Sequence, residues 1–143
     1  MSRKWVLGLL AGCVALNSAG FLWHLFEPVP LYDEIVHFLT PLALVALAAE
    51  VIYRFGGDDE FFDTPVHAVM TGSVIGLLGA GGWEVVEVIL SALGASISNA
   101  PSDTVADIVL GVAGGAAGAW LADRYLDRIF GRSRWGSDRR VVR

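Results

Sequence analysis

Apolar residues fill four stretches of this chain, at about 5–26, 32–53, 66–90 and 104–122. Each is roughly 20 residues long, and a helix of that length spans the ~30 Å hydrocarbon core of a bilayer. The pattern predicts an all-α fold, a polytopic membrane protein whose four transmembrane helices form one bundle. Residues 1–143 read as a single membrane domain that ends in a basic tail, 123–143.

Polar residues break these runs in pairs. Asp33 and His37 open the second run, Glu84 and Glu87 close the third, and Asp103 and Asp107 open the fourth. A spacing of three or four residues puts each pair on one helix face. Ionisable groups are costly inside a membrane, so they mark a binding site or a proton path. Asp33 and Asp103 also suit the start of a helix, with Ser102 as cap and Pro101 ending the loop before it. His37 also fits a satisfied structural histidine. Glu84 and Glu87 resist a local explanation, because acids are disfavoured at a helix C-terminus. Asp107 lies a full turn inside its helix, beyond the reach of capping.

Composition supports the membrane reading. The chain is 55% hydrophobic and 17% charged, with a mean hydropathy of +0.58. A soluble domain is more charged and less apolar. The glycines around Gly72–Gly76 and Gly111–Gly118 would let helices pack closely in lipid. Leu10-Ala11-Gly12-Cys13 resembles a lipobox, but the apolar run continues to Phe26, which favours a retained first helix over lipidation at Cys13. A lone cysteine says little about redox compartment.

Charge sets an expected orientation. Arg3 and Lys4 precede the first run, and the arginines from Arg124 to Arg143 follow the fourth. The positive-inside rule therefore places both termini in the cytoplasm, for a multi-pass protein of the inner (cytoplasmic) membrane. Trp23, Tyr32 and Trp83 fit an outer aromatic belt, and Trp5, Tyr53, Trp120 and Tyr125 an inner one. Glu84 lies about 27 Å along its helix from Val66, so all three polar pairs share the extracytoplasmic layer. His24 falls at the same depth, whereas His67 falls at the opposite face. Glu50 and Arg54 read as an ion pair at the inner boundary.

Five carboxylates and an imidazole in one layer need compensation, by protons or by a cation. The leading expectation is a divalent-metal site with Asp33, His37, Glu84, Glu87, Asp103 and Asp107 as ligands. This mixed donor set suits Zn, Mn or Fe, and helical bundles build such sites from inward Asp, Glu and His. If the protein is an enzyme, the metal would act on a lipid-linked or envelope substrate, with Glu87 as general base. A proton- or cation-coupled transporter is the alternative, and a structural or assembly subunit is the third reading. Membrane lipids are the expected partners, with anionic headgroups at the Arg-rich tail; a homo-oligomer is left open. No nucleophile elbow, phosphate loop, Cys-x-x-Cys or dinucleotide fingerprint occurs, and nothing points to nucleic acid.

The order of Asp33-x-x-x-His37-Phe38, Glu84-x-x-Glu87 and Asp103-Thr104-x-x-Asp107, then Gly111, Gly114 and Gly118, resembles the YjdF-like inner-membrane proteins. More distantly, the chain is similar to the VanZ-like family. The likeness covers roughly residues 32 to 120. Glu34 stands where VanZ-like proteins tend to have Lys, and Gly111 where they often have Asn, so the YjdF-like match is the better one. VanZ-like members are associated with glycopeptide tolerance, a property these departures do not carry over. The resemblance implies a small polytopic inner-membrane protein with a polar cluster and supplies no activity.

Overall fold

The computed structural model describes residues 2–26, 28–54, 64–94 and 100–126. These form α1 (Ser2–Trp23), α2 (Tyr32–Arg54), α3 (Pro65–Ala92) and α4 (Pro101–Leu126), with no strand among the described residues. The chain is thus a helical membrane protein, as the apolar runs predict. Tyr32–Ala49, Pro65–Ala92 and Pro101–Asp123 are long and apolar enough to cross a membrane. The matching part of α1, Leu7–Trp23, is shorter. The basic tail beyond residue 126 and the loops 55–63 and 95–99 lie outside the described residues, as do the side chains of Arg3, Lys4, Glu50, Arg54 and Arg124.

The four helices do not contribute equally to one bundle. α4 is central and packs along α2 on one side and α3 on the other. α2 and α3 touch each other only lightly, and α1 lies mainly on α2. Glycine explains why α4 can take two close neighbours. On α3 the buried residues are Ala68, Gly72, Gly76, Ala80 and Glu84, every fourth position and so one stripe along the helix. Gly111, Gly115 and Ala119 of α4 face that stripe, running antiparallel to it. A Cβ on Gly115 would stand 2.9 Å from the Gly76 Cα, so no side chain fits there. On the adjoining face, Gly114 and Gly118 press on the backbone of Phe38 and Leu42 in α2, which runs parallel to α4. Backbones this close gain dispersion and Cα–H···O contacts, each worth about 0.5–1 kcal/mol.

The apolar core lies toward one end of these seams. Val45, Ala46, Ala49, Ala68, Ala119 and Ala122 are buried together there, with Leu9, Ile52 and Ile75 packed against them. α1 is held to α2 by polar contacts instead. Asn17 Nδ2 donates to Thr40 Oγ1 at 3.0 Å and to the Cys13 carbonyl at 2.9 Å. The Tyr32 hydroxyl donates to the Leu16 carbonyl at 2.6 Å.

The helices differ from the sequence expectation by up to four residues at their ends, and two of these differences have a local reason. α1 stops at Trp23 rather than Phe26 because His24 turns left-handed, at φ 51°. The Leu25 N–H then reaches back to the Gly20 carbonyl at 3.0 Å, the six-to-one bond of a Schellman cap. Phe26 folds over Gly20, where any side chain would collide with its ring. α4 begins at Pro101 rather than Thr104. Proline suits the first helical position, and the Ala100 carbonyl accepts from the Asp103 and Thr104 amides at 2.9 and 3.2 Å. Ser102 is therefore inside the helix and is not its cap. α3 starts at Pro65, one residue before the expected start, with the Thr64 side chain accepting from the His67 amide.

Candidate cation site

The parallel run of α2 and α4 and the opposite run of α3 bring the start of α2, the end of α3 and the start of α4 to one end of the molecule. Asp33 lies in the first turn of α2, and His37 follows one turn later on the same face. Asp107 lies in the second turn of α4. His37 stands between the two carboxylates. Its Nε2 is 3.3 Å from Asp33 Oδ1, and its Nδ1 is 3.7 Å from Asp107 Oδ1. His37 and Asp107 are buried, and Asp33 is partly exposed.

Asp33, His37 and Asp107 form a group in which one donor atom from each lies within 4.8 Å of the others. Donors around a Zn-sized ion stand roughly 3–3.5 Å apart, given bonds of about 2.0–2.2 Å. The group offers one imidazole nitrogen and two carboxylates, a borderline donor set with positions left open.

The other three expected ligands are placed differently. Glu84, Glu87 and Asp103 lie outside this group among the described residues. Glu87 Oε1 accepts a hydrogen bond from Trp83 Nε1 at 2.7 Å, one turn earlier on α3. Asp103 is in the first turn of α4 and half-exposed, as a helix-start acid can be. Glu84 is only 7% exposed, and its Oε1 has no hydrogen-bond partner among the described residues. His24, expected at the same depth, is exposed and serves as the left-handed residue after α1. His67 lies at the far end of α3, as expected.

Two features of the site escape a reading by spacing alone. Pro41 lies inside α2 and has no N–H to offer the His37 carbonyl one turn before it. The signal was a proline four residues after a candidate ligand. The second feature is an aromatic chain beside the site. Phe21 meets Phe26 and Trp83 edge-on, with ring centroids 5.2 and 6.0 Å apart, and Phe26 meets Tyr32 at 5.6 Å. It links the end of α1 to the start of α2 and to the last turns of α3, beside the bond from Trp83 to Glu87.

Apolar helices of bilayer length, sealed by glycine seams and carrying buried acids and a histidine at one end, define a polytopic membrane protein with an internal polar site. A family model described as "Predicted membrane protein (DUF2238)" matches residues 2–128, and the chain belongs to that family. This agrees with the YjdF-like resemblance. No curated protein and no solved structure matches the chain.

Proposed function

We propose that this membrane protein binds a divalent cation through Asp33, His37 and Asp107. One observation carries the reading: three donors from two helices converge within 4.8 Å at a largely buried place. The sequence strengthens it. No Lys or Arg occurs between Trp5 and Tyr53 or between Phe55 and Asp123. The stretches that carry the site therefore supply no ammonium or guanidinium of their own to balance its acids, and buried carboxylates need a balancing charge or a proton. Zn, Mn and Fe suit the donor set. In detergent, the purified protein should bind Zn2+, and His37→Gln should abolish that binding while His67→Ala leaves it intact. Equal Zn2+ binding by wild type and His37→Gln would remove the proposal.

The same placement favours a second reading, in which His37 carries a proton between two carboxylates. Each ring nitrogen faces a different acid, which suits an imidazolium donating to both. That reading expects no metal affinity and proton movement in liposomes that depends on His37. The general-base role expected of Glu87 gains no support, since Trp83 engages it outside the group. We also propose that the site faces away from the cytoplasm and that the Arg-rich tail meets anionic headgroups, both from the arginine distribution. A cytoplasm-only reporter should work after Arg143 and fail at Asn99.

A further inference from the structure

We infer that Glu84 completes this cation site from α3, so that the bound ion ties α3 to α2. The inference rests on the cation reading above and adds a third helix to it. Ala80 of α3 packs on Gly111 of α4. Glu84 is the next member of the α3 stripe, and Asp107 lies one turn before Gly111 on α4. The two stripes run antiparallel, so the step after Ala80–Gly111 sets Glu84 beside Asp107. The two carboxylates interact electrostatically, and Glu84 also acts on Asp103.

The Glu84 oxygen itself points to a ligand. Glu84 is more than nine-tenths buried, and its buried Oε1 has no hydrogen-bond donor among the described residues. The adjacent acid, Glu87, is satisfied by Trp83. A buried carboxylate oxygen with no donor is costly unless a cation or a proton meets it. A fourth oxygen donor would fill a position that the three-residue group leaves open. It would also explain why a long acidic side chain ends a stripe otherwise made of alanine and glycine.

The consequence is mechanical. α2 and α3 hardly touch directly, because each packs on α4. An ion held by Asp33 and His37 of α2, Asp107 of α4 and Glu84 of α3 joins the three helices at their polar end. Without it, among the described residues, α3 rests mainly on α4, with a light contact to α2 and the Trp83 ring contact with Phe21.

Zn2+ affinity and interhelix distance test this together, on the full chain in detergent with Cys13→Ser to leave one pair of labels. Spin labels go at Ile35 and Val88, which are 47% and 59% exposed. Zn2+ should narrow the distance distribution in the otherwise unchanged protein. Glu84→Gln should weaken Zn2+ at least by the roughly 10- to 100-fold that losing a supporting ligand contact costs. At saturating Zn2+ its distances should stay broad. Glu84→Asp keeps the charge but withdraws the oxygen by one methylene, so it should also weaken binding. Unchanged affinity and normal narrowing in both variants would overturn the inference, while loss of binding in His37→Gln alone would leave the three-residue site standing. No Zn2+ binding by the unsubstituted protein would overturn both.

Discussion

At one end of the α3–α4 seam, Ala68 is buried among Ala119 and Ala122; at the other, Glu84 and Asp107 take the equivalent places. The helices, the spacing and the burial are the same. At the alanine end small side chains bring backbones together and ask for no partner. At the acidic end a carboxylate oxygen is left without a donor among the described residues. Helix packing therefore accounts for the first end and not for the second. A place where local rules fail inside an otherwise consistent fold is where function is expected.

His37 is the substitution that should break the polar end most severely. It is the cationic or donor group between Asp33 and Asp107. Removing one partner of a buried charged pair costs about 3–5 kcal/mol, because the remaining charge is uncompensated. His37→Ala should lower the unfolding midpoint in detergent accordingly. Adding Asp107→Asn to His37→Ala should recover part of the loss, since it removes the stranded charge. A double variant less stable than His37→Ala would mean that the cost lies in packing volume instead.

The glycine seam offers the matching break where no charge is involved. A valine at position 115 would drive its side chain into the backbone of Gly76. Overpacking costs about 1–3 kcal/mol and more when only backbone can yield. Gly115→Val should therefore lose thermal stability and helix association together. Gly79→Ala is the control, because open space surrounds that position. Its melting point should stay within measurement error of wild type or rise slightly, through the better helix propensity of alanine. Equal losses at both positions would mean that glycine matters here for the helix itself and not for the seam.

The membrane helices were legible from the apolar runs, because burying every backbone group in lipid leaves few alternatives to a helix. The close seams were legible as well, from the glycine clusters. The polar layer followed from adding helix direction to the spacing of acids. What spacing could not supply was rotation. Whether Glu84, Glu87 or Asp103 turns toward Asp107 depends on which face of α4 each neighbour occupies, and the glycines of two different seams set that jointly. The central place of α4 is a pairing among distant segments that no local pattern encodes. The end of α1 was missed because His24 takes a left-handed conformation that usually belongs to glycine.

Glu84→Gln sharpens the comparison with a change of opposite sign. In the absence of metal it replaces a buried carboxylate, one oxygen of which has no donor among the described residues, by a neutral amide, so the protein should become more stable, by about 1 kcal/mol or more. Ala80, one turn away on the same stripe, has no such charge to lose. Chemical unfolding of metal-free wild type and variant measures the difference. A clear loss of stability would show that Glu84 is already satisfied without an ion.

The smallest expected effect lies where α1 meets α2, away from both ends of the seam. Asn17 donates to Thr40 across the helices at 3.0 Å and also to the Cys13 carbonyl within its own helix. In a membrane, interhelical hydrogen bonds of this kind average only about 0.6 kcal/mol, because the separated helices find other partners. Asn17→Ala, Thr40→Ala and the double variant form a cycle that isolates the pair from the bond to Cys13. The expected coupling is about 0.6 kcal/mol, with Zn2+ affinity unchanged in all three, since neither residue belongs to the site. The comparison depends on that independence. If loosening α1 also weakened Zn2+ binding, the aromatic contact from Phe21 to Trp83 would have to carry the disturbance to the polar end, and α1 would count as part of the site's support.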